Sequence, residues 1–354
     1  MAKPSAAPVV FLFATVAFIA VIVALQRPLP ASDLFVNIPD GQFAAYGPMT
    51  RAEYYAAKFS HARENKRYKT GVFGNSRSLM LSNADIRPKD RPFFNFSIGG
   101  QSLRTSVLML EELVAEGKVP HVALVSFDHA ELEYFQNPST GDAIHMLRLA
   151  WRDIRLVFDA RSPTMREWLR MTWRHIYTGY NRALLYLDAE QFLRGLNWRW
   201  RGLWRDDPWR DEMRINPNRG YRRDGSRSEK LPRKPIDISI MKRVAPSIIA
   251  GYLAHDLHRL AVIQRKGVRV IVYESPLEPK NGDYFKTSPS PHAQYIRRVF
   301  LKTCREEGLE CYPFQLEKLP TGIAAWANSD HAPAAVLGAY IRPFIDKVTS
   351  GVAR

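Results

Sequence analysis

The chain has 354 residues, of which 46% are hydrophobic and 24% charged, and its formal net charge is +16. That composition supports a packed core and excludes an intrinsically disordered chain, while the length allows one large or two ordinary domains. The charge points to an anionic partner or surface. No zinc spacing, RNP-like sequence or basic zipper accompanies it, so nucleic acid is not expected as that partner.

Taken in order, the chain opens with an uninterrupted apolar run over 9–25, VVFLFATVAFIAVIVAL. This is close to the roughly 17–25 residues that cross a bilayer. A cleaved signal peptide is the competing reading. The run is long for a signal h-region, and no small-x-small cleavage site follows, so the sequence favours an uncleaved transmembrane signal anchor. Residues 1–27 are then a cytoplasmic tip and anchor. The expected placement is a single-pass protein of a bacterial-type inner membrane, with the large domain outside the cytoplasm. Residues 28–68 read as a juxtamembrane lead-in, with a charged helix over 49–67.

The next stretch organises the rest. Gly71-Val72-Phe73 is a short apolar strand that stops at Gly74-Asn75-Ser76-Arg77-Ser78. A strand ending this way presents a serine at the carboxyl edge of a sheet, where open α/β sheets bind ligands. A second short strand is expected over 91–97, ending in Ile98-Gly99-Gly100. Over 101–118 the apolar positions Leu103, Val107, Leu108, Leu110, Leu113 and Val114 have helical spacing, and Gly117 closes the helix. His121 to Phe127, HVALVSF, is a continuous apolar run of buried-strand type.

The pattern then breaks. An insertion over 140–235 is dense in tryptophan and arginine and holds seven of the eight tryptophans, Trp151, Trp168, Trp173, Trp198, Trp200, Trp204 and Trp209. Ser162-Pro163 is a good helix start there. The stretch 216–235 is rich in Pro, Gly and Arg; it reads as a loop and as the most mobile part of the insertion. The insertion has three readings: a helical subdomain with an aromatic core, an amphipathic surface on anionic headgroups, or a groove where tryptophans stack on sugars and arginines hold anions.

Sheet logic then resumes. A helix is expected over 238–266, a buried strand over 268–273, a helix over 291–307 ended by Gly308, a short strand over 309–312 and a last helix from Ala332 or Pro333 to about 349. Strands alternating with helices give an α/β fold. The expectation is a flavodoxin-like three-layer α/β/α domain on a five-stranded parallel sheet, in two parts, 69–139 and 236–354. The helical Trp/Arg-rich insertion interrupts it, and a transmembrane helix precedes it.

The two cysteines, Cys304 and Cys311, either form a short-loop disulfide or remain thiols. Neither belongs to a Cys-x-x-Cys pattern. His255 and His258 lie three apart on a helix without carboxylate partners, so no metal site and no cofactor are expected.

Gly74-Asn75-Ser76-Arg77-Ser78 resembles the first block, usually Gly-Asp-Ser-x-Ser, of the SGNH or GDSL-like hydrolases. The resemblance spans roughly 69–128 and 267–350. It implies that Ser76 is a nucleophile and that His331, in Asn328-Ser329-Asp330-His331, is its base. The family's final block is Asp-x-x-His, and the aspartate position holds Asn328. Either Asn328 or Asp330 orients the ring; Asp330 is favoured because it supplies charge compensation. Asn95-Phe96-Ser97-Ile98-Gly99-Gly100 resembles the family's glycine block, which makes Gly99 or Gly100 an oxyanion donor. A strand-to-helix turn alone would equally account for those glycines. The third block, usually Gly-x-Asn-Asp, is here Ser126-Phe127-Asp128-His129. Asp128 in that slot is either protonated or turned away toward Ser76 or Arg77, and Arg77 either clamps an anionic substrate or pairs with Asp128.

With its anchor, the chain most resembles the extracytoplasmic proteins of alginate acetylation and teichoic-acid D-alanylation. That implies an O-acyltransferase or esterase acting on an envelope polysaccharide, with a membrane-bound O-acyltransferase as partner. The alternative is a non-catalytic glycan-binding or assembly partner that kept the fold.

Overall fold

The structure, a computed structural model, describes residues 17, 35, 38, 43–45, 51–65, 68–99, 102–128, 214–216, 221–224, 226–227, 246–276, 291–315, 319 and 332–346. The 9–25 run apart from Ala17, most of the insertion, Gly100, Asn328, Asp330 and His331 lie outside these residues. Among the described residues no helix is long and apolar enough to cross a membrane.

In chain order the described elements are β1 (Phe43–Ala45), α1 (Arg51–Asn65), β2 (Thr70–Phe73), β3 (Phe93–Asn95), α2 (Leu103–Ala115), β4 (Val122–Phe127), β5 (Arg214–Asn216), α3 (Pro246–Arg265), β6 (Arg269–Glu274), α4 (Pro291–Glu307), β7 (Glu310–Tyr312) and α5 (Ala334–Asp346). Five strands form one sheet in the order β3-β2-β4-β6-β7. Every neighbouring pair in it is parallel. Counted within the sheet this is the order 2-1-3-4-5, the doubly wound arrangement of flavodoxin-like folds. Its switch point falls between β2 and β4. A separate antiparallel pair, β1 with β5, joins the lead-in to the insertion; the sequence reading had neither strand.

Alternation along the strands explains the layers. Phe73, Phe94, Val125, Phe127, Val270 and Val272 face one side and pack with α1, α2, α3 and α4. Val72, Phe93, Leu124, Ile271 and Tyr273 face the other and pack with α5. Three helices end where the sequence placed glycines: Gly117, Gly267 and Gly308 adopt φ of 66°, 93° and 65°. Behind Gly117, Lys118 N–H reaches Leu113 O at 2.8 Å and Gly117 N–H reaches Val114 O at 3.1 Å, which closes the helix carbonyls. Cys304 and Cys311 form a disulfide that ties the end of α4 to β7.

The loop expectation for 216–235 holds for the described residues 221–224 and 226–227, which are turn and bridge residues, but not for Asn216. Asn216 ends β5, and Tyr221 bridges Arg227 in a tight return. Tyr221, Asp224 and Ser226 are buried. Asp224 Oδ1 accepts from Ser226 N–H at 3.0 Å and Ser226 Oγ–H at 2.6 Å. A Pro-, Gly- and Arg-rich stretch looks solvated in sequence, but here its aromatic and its small polar residues seat it on the sheet edge.

Gly74 is required by packing rather than by its φ. A Cβ there would lie 2.0 Å from Ser126 Oγ and 2.9 Å from Ser78 Oγ, so β2 and β4 approach each other only because position 74 lacks a side chain. Gly74→Ala is therefore expected to destabilise the domain by about 1–3 kcal/mol through overpacking. Adding Ser126→Gly should return part of that loss. Urea unfolding checks it: the midpoint falls at unchanged slope for the single variant and recovers for the double.

Candidate active site

The site is built at the switch point, outside the carboxyl ends of β2 and β4. Beyond β2 the chain turns at once. Asn75 Oδ1 accepts Arg77 N–H at 2.8 Å, and Ser78 N–H reaches Asn75 O at 3.2 Å. This closed turn leaves Ser76 half-exposed between the buried Asn75 and Arg77. The side chain of the residue just before the serine, bonded to the N–H of the residue just after it, thus holds the serine outward.

Arg77 and Asp128 are brought together. Arg77 Nη1 lies 2.6 Å from Asp128 Oδ2, and both side chains are nearly sealed from water, at 6% and 7% exposure. Of the two orientations open for Asp128, the structure has the one toward Arg77. The pair bridges the loop after β2 to the loop after β4. One residue on, Ser78 Oγ shares a hydrogen bond of 2.9 Å with Tyr273 OH. That extends the cross-linking to β6.

Gly99 sits beyond β3. Its φ lies outside the left-handed region, and a Cβ there would meet only Leu79 Cδ1, at an ordinary 3.6 Å. Neither backbone conformation nor local space demands glycine at 99. The plain turn explanation therefore finds no support at this position.

Asn328, Asp330 and His331 lie outside the described residues. Glu274, buried at the end of β6, accepts Phe314 N–H at 2.7 Å and Arg297 Nη2–H at 2.7 Å. Its carbonyl accepts Tyr340 OH at 3.3 Å. Ala332 is buried, and Leu337 N–H bonds Pro333 O at 3.0 Å in the first turn of α5.

Two contributors were missed in the sequence. Lys58, on α1, is fully buried, and its Nζ donates to Asn95 O and to Ser97 O at 2.6 Å each. The signal was present: Tyr54, Lys58 and Ala62 recur every four residues, so the lysine lies on the face that the helix buries. Asp224, in the insertion's return, is the other. Its Oδ2 accepts Asn83 N–H at 2.6 Å, in the chain leading from the Ser76 turn to β3. His258 Nδ1 lies 2.8 Å from Glu307 Oε1, an exposed pair between α3 and α4. Among the described residues no group of three His, Cys, Asp or Glu would hold a metal.

No protein family, no curated protein and no solved structure matches this chain significantly.

Burial pushes the Lys58 amine well below the ordinary lysine value, and it pushes the Tyr221 phenol well above the ordinary tyrosine value. Unfolded lysine titrates near about 10.4. Between the folded value and that one the unfolded chain binds more protons, so the Lys58 penalty eases and stability rises with pH. Unfolded tyrosine releases its proton near about 10 while folded Tyr221 keeps it, so stability falls above that pH. Denaturant midpoints measured from pH 7 to 11 should rise and then fall. In Lys58→Met the rising limb should flatten.

The ion pair gives a second test. Arg77→Met removes the charge partner of the buried Asp128 and should cost about 3–5 kcal/mol. Arg77→Met with Asp128→Leu should recover most of it. Equal midpoints for the single and double variants would contradict the pairing.

Proposed function

We propose that this chain is a membrane-anchored, extracytoplasmic acyl-ester enzyme of SGNH-like type, an O-acyltransferase or esterase acting on an envelope or exported polysaccharide. The observation that carries the reading is Ser76 itself: a half-exposed serine on a closed turn at the switch point of a 2-1-3-4-5 parallel sheet. Open α/β sheets bind ligands in that crevice. Gly99, on the neighbouring strand end, is a glycine that local conformation and space do not require, which suits a close approach by substrate. The Cys304–Cys311 disulfide fits an oxidising compartment and supports the placement outside the cytoplasm.

In this reading His331 takes the Ser76 proton as Oγ attacks the acyl carbonyl. The tetrahedral oxyanion collapses with loss of the donor's alkoxide or thiolate, which takes the proton back from His331. The acyl group then passes from Ser76 to a glycan hydroxyl, or to water, by the same steps in reverse. Backbone N–H groups at Ser76 and Gly99 or Gly100 stabilise the oxyanion. The Arg77–Asp128 pair keeps Asp128 charge-compensated beside that developing charge. A membrane-bound O-acyltransferase is the expected supplier of the acyl group, and the 9–25 run is the expected membrane contact.

A second reading, a non-catalytic glycan-binding or assembly partner, is favoured by one feature. Asp128 occupies the slot where the resembled family has an oxyanion asparagine, and it is bound to Arg77 rather than offering a donor.

The deciding experiment uses the full chain in detergent, with a fluorophosphonate probe and a chromogenic acetyl ester. Ser76→Ala should abolish labelling and turnover, and Gly99→Ala, which keeps the backbone N–H but adds a Cβ where substrate would approach, should fold normally yet lower turnover. Asp330→Asn should cost up to about 10⁴ in rate and Asn328→Ala far less, if Asp330 orients His331. The reverse ranking would assign the role to Asn328. Absence of labelling and turnover in the native chain would replace the enzyme reading with the binding one.

A further inference from the structure

Asn95, the last residue of β3, is fully buried and uses all of its donors. Its Nδ2–H groups reach Ser78 O at 2.7 Å and Leu81 O at 2.9 Å. Its Oδ1 accepts Ser97 N–H at 2.9 Å. Its main-chain N–H goes to Asp224 O at 2.8 Å, and its carbonyl accepts Lys58 Nζ–H at 2.6 Å. An asparagine amide has two N–H donors, and both are spent on the chain that follows Ser76.

These bonds join four parts distant in sequence: the turn beyond β2, the approach to Gly99, helix α1 and the insertion's return. The return segment does more than touch Asn95. Arg227 N–H reaches Leu79 O at 2.8 Å, and the Asp224 carboxylate holds Asn83 N–H. Tyr221, from the same segment, forms one wall around Lys58, its ring centroid 5.4 Å from Nζ; Phe35 and Phe94 stand at 5.9 and 6.0 Å. Inside the turn, Asn75 Oδ1 accepts Arg77 N–H at 2.8 Å, and Ser78 N–H to Asn75 O and Leu81 N–H to Ser78 O each measure 3.2 Å. These bonds shape the turn, while its spacing from the Gly99 block is set by groups outside it, Asn95 among them.

We propose that Asn95 is a positioning residue through which the segment 221–227 sets the spacing between the Ser76 turn and the Gly99 block, so that the seating of the insertion's end controls how Ser76 reacts. The proposal rests on the reading of Ser76 as a nucleophile. A nucleophile and its oxyanion donors must hold their geometry to within a fraction of an ångström, and a displacement of about 1 Å can cost 10²-fold in rate. Lifting 221–227 removes the acceptor of Asn95 N–H, the acceptor of Asn83 N–H and one wall around Lys58 together.

The test compares the full chain in detergent with Asp224→Ala, with Asn95→Asp, which keeps the Ser97 acceptor and loses both donors, and with His258→Gln as a control. Three quantities are read: the rate of fluorophosphonate labelling of Ser76, kcat and KM for the chromogenic acetyl ester, and amide hydrogen exchange over 76–83 and 97–99. Asp224→Ala should lower labelling and kcat about tenfold to a hundredfold, with KM for the small ester within twofold. Exchange over 76–83 should quicken. Asn95→Asp should act in the same direction, and the control should match the native chain. Loss of activity only in proportion to unfolded protein, with native exchange over 76–83, overturns the coupling. If the native chain neither labels nor turns over, the nucleophile reading is what fails; exchange alone then decides the coupling, and unchanged exchange overturns it.

Discussion

The buried pair of Arg77 and Asp128 is the constraint around which the carboxyl edge is arranged. Each ion loses its water on folding, at an effective cost of several kcal/mol, and the charge of the other helps to offset it. The arginine lies on the loop after β2 and the aspartate on the loop after β4, so the two loops must meet for either to be buried. That meeting requires β2 and β4 to approach closely at their ends, and Gly74 permits it by leaving room for Ser126. Ser78 and Tyr273 continue the link to β6. The ends of the three central strands are thus a cross-linked polar layer above an apolar sheet. Ser76 is the half-exposed member of its first turn, between a buried asparagine and a buried arginine.

The same logic governs the far half of the edge. Glu274 ends β6 as a buried carboxylate, and its charge is met by Arg297 and by the Phe314 amide. An acid at the end of a buried strand would be costly without those donors. With them it fixes where the chain goes after β7, and Tyr340 ties α5 to the same residue.

Much of this was legible because it is local. The 291–307 helix was read with its bounds intact, from a proline at its first position and a glycine after its last. The parallel sheet followed from apolar runs too continuous to be one-sided, and His121 to Phe127 has five buried positions out of six within its strand. What stayed hidden depends on partners far away in sequence. Lys58 and Asn95 are 37 residues apart, and Asn83 and Asp224 are 141 apart. No periodicity announces that a lysine amine will cap two carbonyls of another element. The burial at the insertion's end stayed hidden for a related reason: its composition is that of a loop, and only the fold supplies the surface where Tyr221 and Ser226 are buried. Gly99 is the converse case, a residue whose local need was plausible in sequence and finds no support in space.

Charge closes the argument. The arginines that look available inside the α/β domain are largely committed: Arg77 to Asp128, Arg259 to Glu111 and Asp256, Arg269 to Glu310, and Arg297 to Glu274. Pairs of this kind cancel, so they contribute nothing to the net +16. The excess positive charge therefore lies on residues other than these. Arg223 and Arg227 are exposed on the segment seated against the Ser76 turn. If an anion engages that segment, it acts on the piece of chain that holds Asn95 and Asn83 in place. Exposed cations and the groups that hold Asn95 and Asn83 in place thus belong to one structural element, which packs beside the Ser76 turn.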